Sequence, residues 1–201
     1  EKALINLFSP DPADIQDTAA NLVNYREEDL NAAGTVTATT PATAAQAKIL
    51  AAFNKAIVYD VTDTASNIAA ASGAGLNEAV NITATTAVTV AQCDVIEAAN
   101  NSGSNTYDIT DTAASIAAAG NAKLAKGGVV TANTDATAVM ANTIAAYSKA
   151  VVYSISDTGA NLVAIAGNAL NEAVNITATG TITQAQADII EAATNSGSNS
   201  Y

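Results

Sequence analysis

Gly75–Thr86 reads GLNEAVNITATT, and Ala169–Gly180 reads ALNEAVNITATG. Leu76–Thr85 and Leu170–Thr179 are identical over ten consecutive positions, at an offset of 94 residues. Inside the stretch, "VNITAT" alternates β-branched apolar residues with polar ones, the pattern of a half-buried strand. Identity at so long an offset marks a duplicated unit, and a fixed period decides architecture before any local signal does.

The period resolves further. The motif Asp-Thr-x-x-(Asn/Ser)-(Leu/Ile) begins at Asp17, Asp63, Asp111 and Asp157, with spacings of 46, 48 and 46. An aromatic recurs at Tyr59, Tyr107, Tyr153 and Tyr201, with spacings of 48, 46 and 48. Each unit divides again, because "YDVTDT" and "VNITAT" are both strand-like. Their central apolar residues are Ile15, Val36, Val61, Ile82, Ile109, Val130, Ile155 and Ile176. Eight short strands are predicted, each followed by an Ala-rich segment with helical spacing.

Helix-start chemistry sits where those segments begin. Asp17, Asp63, Asp111 and Asp157 follow their strands directly and are expected to cap the first turn. Thr43, Thr89 and Thr183 open Thr-x-x-Gln capping boxes, whereas Thr137 is followed by Met140 and lacks the reciprocal partner. Apolar residues then recur at spacing three (Cys93, Ile96, Ala99 and Ala187, Ile190, Ala193). "NSGSN" is expected to end those helices, with Gly103 and Gly197 in the left-handed C-terminal position.

Strand–helix units this short are not a doubly wound domain, which needs longer crossovers and a reversal of strand order. No glycine-rich phosphate loop follows a strand, since "SGAG" at Ser72–Gly75 comes after a helical segment. The consistent solution is an α/β repeat solenoid of about eight strand–helix units, a parallel sheet on one side and short helices on the other. Residues 1–12 form an N-terminal segment or cap, with the apolar run Ala3–Phe8 as the capping element. Residues 13–201 form one solenoid of four repeats, 13–58, 59–106, 107–152 and 153–200. At about 4.8 Å per strand the stack is on the order of 38 Å long. A ninth strand is expected to begin at Tyr201, so the chain reads as a piece of something longer.

Composition narrows function. Hydrophobic residues are 49% of the 201, yet aromatics are 4% with no Trp, which suits thin Ala-, Val- and Ile-rich layers. A net charge of −12 with seven basic residues repels phosphate backbones, so nucleic acid is an unsuitable partner. There is no basic amphipathic stretch, no apolar run of about 18 residues and no signal-like start, so membrane insertion is not expected.

Tyr107–Leu124 (YDITDTAASIAAAGNAKL) and Ala169–Tyr201 resemble the tandem repeats of very large secreted bacterial proteins of the RTX and cell-surface type, cyanobacterial ones included. The likeness covers about residues 11–201. It implies an adhesive or structural module at the cell surface. The glycine-rich nonapeptides that bind calcium in RTX proteins are absent here, so the resemblance does not bring calcium binding with it.

The residues themselves offer little chemistry. No His is present to act as a base or metal ligand. The single cysteine, Cys93, matches Ala187 in the later copy and reads as a packed thiol. A calcium site mixing Asp60, Asp63 and loop carbonyls is one reading of the acids; helix caps and solvated strand residues are the plainer one. An enzyme is not expected, nor a cofactor beyond that calcium reading.

With Ile82 inward, alternation sends Asn81, Thr83 and Thr85 outward. The same logic applies to Thr35, Thr37, Thr39, Thr131, Asn175, Thr177 and Thr179. This Thr/Asn face is the candidate binding surface for glycans or other surface proteins. Charge has a rhythm too: Tyr59–Thr106 and Tyr153–Ser200 contain no Lys or Arg. The expected function is a secreted, cell-surface structural module, a spacer or an element that associates end to end with itself or neighbouring repeats.

Overall fold

A computed structural model describes residues 12–201, so the expected cap at Ala3–Phe8 lies outside the described residues. Among those residues the chain is a mixed α/β protein of ten short strands and twelve short helices. The strands are β1 (Ile15–Asp17), β2 (Val36–Ala38), β3 (Val61–Asp63), β4 (Ile82–Ala84), β5 (Asn105–Thr106), β6 (Ile109–Asp111), β7 (Val130–Ala132), β8 (Ile155–Thr158), β9 (Ile176–Thr179) and β10 (Asn199–Ser200). The helices are α1 (Ala19–Leu22), α2 (Glu27–Ala32), α3 (Ala44–Leu50), α4 (Ala65–Ala70), α5 (Ala74–Asn77), α6 (Val90–Glu97), α7 (Ala113–Ala119), α8 (Asn121–Leu124), α9 (Ala138–Ala145), α10 (Gly159–Ala164), α11 (Asn168–Asn171) and α12 (Gln184–Glu191).

Two compact units emerge: the chain up to Thr85 with Val95–Asn105, and Thr86–Asp94 with Thr106–Tyr201. In the first, β1 pairs in parallel with β2 (Ile15↔Val36) and β3 with β4 (Val61↔Ile82), while β5 adds to β4. Isolated parallel bridges Thr37↔Val58 and Ala42↔Val61 link β2 and its following corner to the next turn of chain. Thr37 and Ala42 are five residues apart while their partners are three apart, so the Thr39–Pro41 corner bulges by two residues.

The second unit repeats the scheme. There β6 pairs with β7 (Ile109↔Val130), β8 with β9 (Ile155↔Ile176) and β9 with β10 (Ile176↔Asn199). Val88↔Ile109, Thr131↔Val152 and Ala136↔Ile155 are its isolated bridges. The apolar series found in the sequence thus supplies the paired first residues of eight strands. The two-residue β5 and β10 are additional and occupy equivalent places, just before Tyr107 and Tyr201, and Tyr201 itself lies in no strand.

Packing explains the composition. Each helix that follows a strand or its corner buries one small residue and one large one three positions later: Ala19 and Leu22, Ala47 and Leu50, Ala65 and Ile68, Cys93 and Ile96, Ala113 and Ile116, Ala141 and Ile144, Gly159 and Leu162, Ala187 and Ile190. Against them lie Val36, Val61, Ile82, Ile109, Val130, Ile155 and Ile176 from the strands, all at most 1% exposed. A fully buried Ile or Leu contributes about 1.5–3 kcal/mol, and the Ala beside it keeps the layer thin. Helices α6 and α12 stop at Glu97 and Glu191, so Ala99 and Ala193 fall beyond them.

Glycine use differs from the sequence expectation. Gly103 and Gly197 do not have positive φ; Gly73, Gly120, Gly167 and Gly180 do. A Cβ on Gly103 would lie 2.4 Å from Asn81 Oδ1 and 2.6 Å from the Val80 carbonyl oxygen. The glycine is therefore required by close approach of the preceding turn of chain, not by a left-handed backbone. Gly73, at φ 118, separates α4 from α5 as the interrupted sequence there suggests.

Candidate functional site

The register sets the polar face in rows: Gln16↔Thr37, Thr62↔Thr83, Thr110↔Thr131 and Ser156↔Thr177. Thr37, Thr83, Thr131 and Thr177 are half-buried, whereas Thr35, Thr39, Thr85, Asn175 and Thr179 are exposed. The rows are not purely polar. Val58 and Val152, bridged to Thr37 and Thr131, are 50% and 46% exposed.

Asn81 and Asn175 are engaged on both sides. Asn81 donates from its backbone N–H and its Nδ2 to Asp60 Oδ1 (3.0 and 2.9 Å), and its Oδ1 accepts from Ser104 N (3.0 Å). Asn175 repeats this between Ser154 and Ser198. Asp14 and Asp108 likewise accept from Thr35 N (2.8 Å) and Val129 N (2.7 Å). These acids are lashed to the following turn of chain rather than simply solvated. Hydrogen bonding by Thr35 holds the Asp14 carboxyl below the usual carboxylate range.

The cap lies one residue beyond the aspartate. Thr18, Thr64, Thr112 and Thr158 are the N-caps, each accepting from the backbone N–H three residues on. The preceding Asp17, Asp63, Asp111 and Asp157 accept from the N-cap's own N–H at 2.7–2.8 Å. The reason is geometric: the aspartate is still the last paired residue of its strand (in β8, the last but one), so its carboxylate points sideways. Through Oδ2, Asp63 accepts from Ala44 N (3.0 Å), Asp111 from Val90 N (2.9 Å) and Asp157 from Ala138 N (2.9 Å). Each of these three carboxylates closes its own helix start and the first N–H of the preceding helix together.

Burial pushes the Asp63 carboxyl up, but hydrogen bonds from Asn67, Thr64 and Ala44 outweigh it and hold the group below its ordinary value. For Asp157 the bond from Ala138 is the largest cause of the same lowering, followed by Asn161. The threonine sites behave as the spacing implies. Thr43 and Thr183 form complete capping boxes, Thr89 exchanges the same two bonds with Gln92, and Thr137 accepts from Met140 N.

Basic residues are placed by the same logic. Lys55 Nζ donates to the carbonyl oxygens of Ala33 and Gly34 (both 2.7 Å), and Lys149 Nζ to those of Gly127 and Gly128. At the corresponding places in the Lys-free repeats, Asn101 and Asn195 donate from Nδ2 to the Val80 and Val174 carbonyls. At this position the alternation of Lys and Asn is two chemical solutions to one backbone requirement. Sequence reading missed this because the acceptors lie 21–22 residues upstream.

Among the described residues, no group of three or more His, Cys, Asp or Glu converges to hold a metal. Asp60 and Asp63, the residues of the calcium reading, are spent on the bonds above. Cys93 is buried with Sγ 3.1 Å from Tyr107 Oη. Shallow grooves lie between helices, one of about 480 Å³ lined by Ala44, Ala45, Lys48, Ile49, Asp63 and Asn67 among others. No described helix is long and apolar enough to cross a membrane. No protein-family model, curated protein sequence or solved structure matches this chain.

Proposed function

We propose that this chain is a structural repeat module of a secreted bacterial cell-surface or extracellular matrix protein, a non-enzymatic spacer that also associates with itself. In this reading the strand–helix units stack as one α/β solenoid of about eight turns. The observation that carries it is how polar chemistry is spent. Asp, Asn and Lys side chains bond to backbone 19–23 residues away, at one turn of chain after another. A binding or catalytic protein leaves its polar groups converging on a ligand; here they join neighbouring turns.

Sedimentation velocity over a concentration series, with calcium and again with chelator, tests this. A folded protein whose species grow with concentration independently of calcium is expected. Strict monomer at every concentration would remove the self-associating part. A calcium-dependent change would restore the acids as ligands.

A second reading, an adhesin module binding glycans through the Thr/Asn face, is favoured by one observation. The rows Gln16–Thr37, Thr62–Thr83, Thr110–Thr131 and Ser156–Thr177 carry no charge in a chain of net −12. Glycan-array binding that disappears in a folded Thr83→Lys variant would establish it over the spacer.

A further inference from the structure

The sequence Asn-x-Ser/Thr, with no proline between, occurs three times, at Asn81–Thr83, Asn100–Ser102 and Asn175–Thr177. This pattern is the acceptor for N-linked glycosylation, which needs the asparagine amide open at the surface. The fold sorts the three. Asn81 and Asn175 lie immediately before β4 and β9, each with Nδ2 donating to one turn of chain, at Asp60 or Ser154. Their Oδ1 atoms accept from Ser104 N and Ser198 N on the other side. A sugar on either Nδ2 would have to displace the bond to the preceding turn.

Asn100 is placed differently. It lies between α6 and β5, where Asn100, Asn101 and Ser102 are exposed, half-buried and exposed in turn. The backbone of this segment is anchored to the preceding turn. Asn100 N donates to Asn77 Oδ1 (3.1 Å), Ser102 N to the Ala79 carbonyl (3.2 Å) and Gly103 N to the Val80 carbonyl (2.8 Å). Asn101 turns inward and donates from Nδ2 to the same Val80 carbonyl (3.1 Å). Neither the Asn100 side chain nor the Ser102 hydroxyl bonds to a described residue, so the acceptor amide and the hydroxyl two residues on are both open to solvent. The equivalent segment of the second copy is held by the same bonds, Thr194 N to Asn171 Oδ1 (3.0 Å) and Asn195 Nδ2 to the Val174 carbonyl (3.0 Å). There Thr194 stands in the place of Asn100, and the acceptor is missing.

We propose that Asn100 is an N-glycosylation site, taking an oligosaccharide from a lipid pyrophosphate donor through an oligosaccharyltransferase. Asn100 Nδ2 attacks the anomeric carbon of the first sugar. The C1–O bond breaks with its electron pair leaving on the lipid pyrophosphate, the C1–N bond forms, and one amide proton passes to a base of the transferase. Asn77 and Asn101 are positioning residues, which hold the segment by bonds that do not use the acceptor amide. The glycan therefore leaves every bond of the segment to its preceding turn in place. The site depends neither on the spacer role nor on self-association.

The test incubates the folded full chain with a purified oligosaccharyltransferase active on Asn-x-Ser peptides and a lipid-pyrophosphate-linked oligosaccharide. A synthetic peptide of residues 97–107 is treated alongside. Intact mass and peptide mapping are expected to show one glycan per chain, at Asn100. Asn100→Gln and Ser102→Ala, both at exposed positions and checked for folding by circular dichroism, are expected to take none. Thr194→Asn restores the pattern on the equivalent anchored segment and is expected to take a second glycan. A folded chain left unmodified while the peptide is modified would show that the segment is closed to the transferase. A peptide left unmodified as well would show that this sequence is no acceptor. Either result overturns the proposal, as does a glycan found on Asn81 or Asn175 of the folded chain.

Discussion

Replacing Asp63 with Ala removes one carboxylate from two helix starts. Thr64 N–H loses a cap-type acceptor, a loss of about 0.5–2 kcal/mol. Ala44 N–H, on a residue 2% exposed, loses its lateral partner, and an unmade bond there costs about 1–3 kcal/mol. The exposed bond from Asn67 adds little. The total is about 3 kcal/mol, which for a chain of this length lowers the melting temperature by roughly 6–12 °C. Asp63→Asn is the sharper variant. It keeps the shape and one acceptor, but its amide must face a donor, either Ala44 N or the Thr64 and Asn67 pair. It should therefore recover less than half of the loss. Thermal and urea melts followed by far-ultraviolet circular dichroism measure both variants against Asp135→Ala, an acid on an exposed corner. The reasoning is refuted if Asp63→Ala melts within 1–2 °C of that control, a shift of under about 1 kcal/mol.

Stability should fall at both ends of the pH scale. Asp14, Asp17, Asp63 and Asp157 are held below the usual carboxylate value. Their contribution is full above the unfolded value of about 3.9 and is lost as pH drops through the lower folded values; urea midpoints from pH 6 to pH 2 read it. Burial, with Glu78 nearby, pushes the Tyr59 phenol up to about 12. Because the neutral phenol donates to the Gly75 carbonyl (2.9 Å), that stability is full below about pH 10 and lost between there and 12, visible as delayed phenolate absorbance. Gly103→Ala should cost about 1–3 kcal/mol through overpacking against Val80 and Asn81, and a urea midpoint unchanged from wild type would contradict the close-approach reading.

Much of the fold was legible because its determinants are local and repeated. β-branched residues at Ile15, Val36, Val61 and Ile82 mark the strands, and their 21-residue offsets within each repeat are the observed register. Thr43, Thr89 and Thr183 announce helix starts through a box contained in four residues. What escaped was whatever depends on a neighbour one turn away. Asp63 looks like a cap by position, but Ala44, its lateral partner, lies 19 residues upstream. Gly103 resembles a left-handed C-cap in "NSGSN", yet its constraint is the Val80 carbonyl. The Thr/Asn face was read from alternation alone, which gives direction but not occupancy. Alternation places Asn81 outward, and its side chain is nonetheless bonded on both sides, to Asp60 and to Ser104.

The duplicated stretch can now be understood by where its identity ends. Leu76–Thr85 and Leu170–Thr179 match, then Thr86 gives way to Gly180. In the other repeats the residue at that place is Thr40 or Thr134, whose hydroxyl oxygen accepts from Ala19 N (3.2 Å) or Ala113 N (3.0 Å), the first N–H of the neighbouring helix. Gly180, at φ 78, has no side chain to do this. Its neighbouring helix α10 differs correspondingly: it begins at Gly159, where the other repeats have Ala, and Ile182 packs where a Cβ on Gly159 would fall, at 2.7 Å. One joint has thus exchanged a polar clasp for an apolar contact, and both partners changed. In a repeat whose turns are held by side chains reaching across, a substitution is felt by its counterpart one turn away, and at this joint the counterpart changed with it. Elsewhere a clasp absorbs a change on one side alone: Asn81 and Asn175 are identical, although the first donates to the Asp60 carboxylate and the second to the Ser154 hydroxyl oxygen, which accepts from the same two N–H groups.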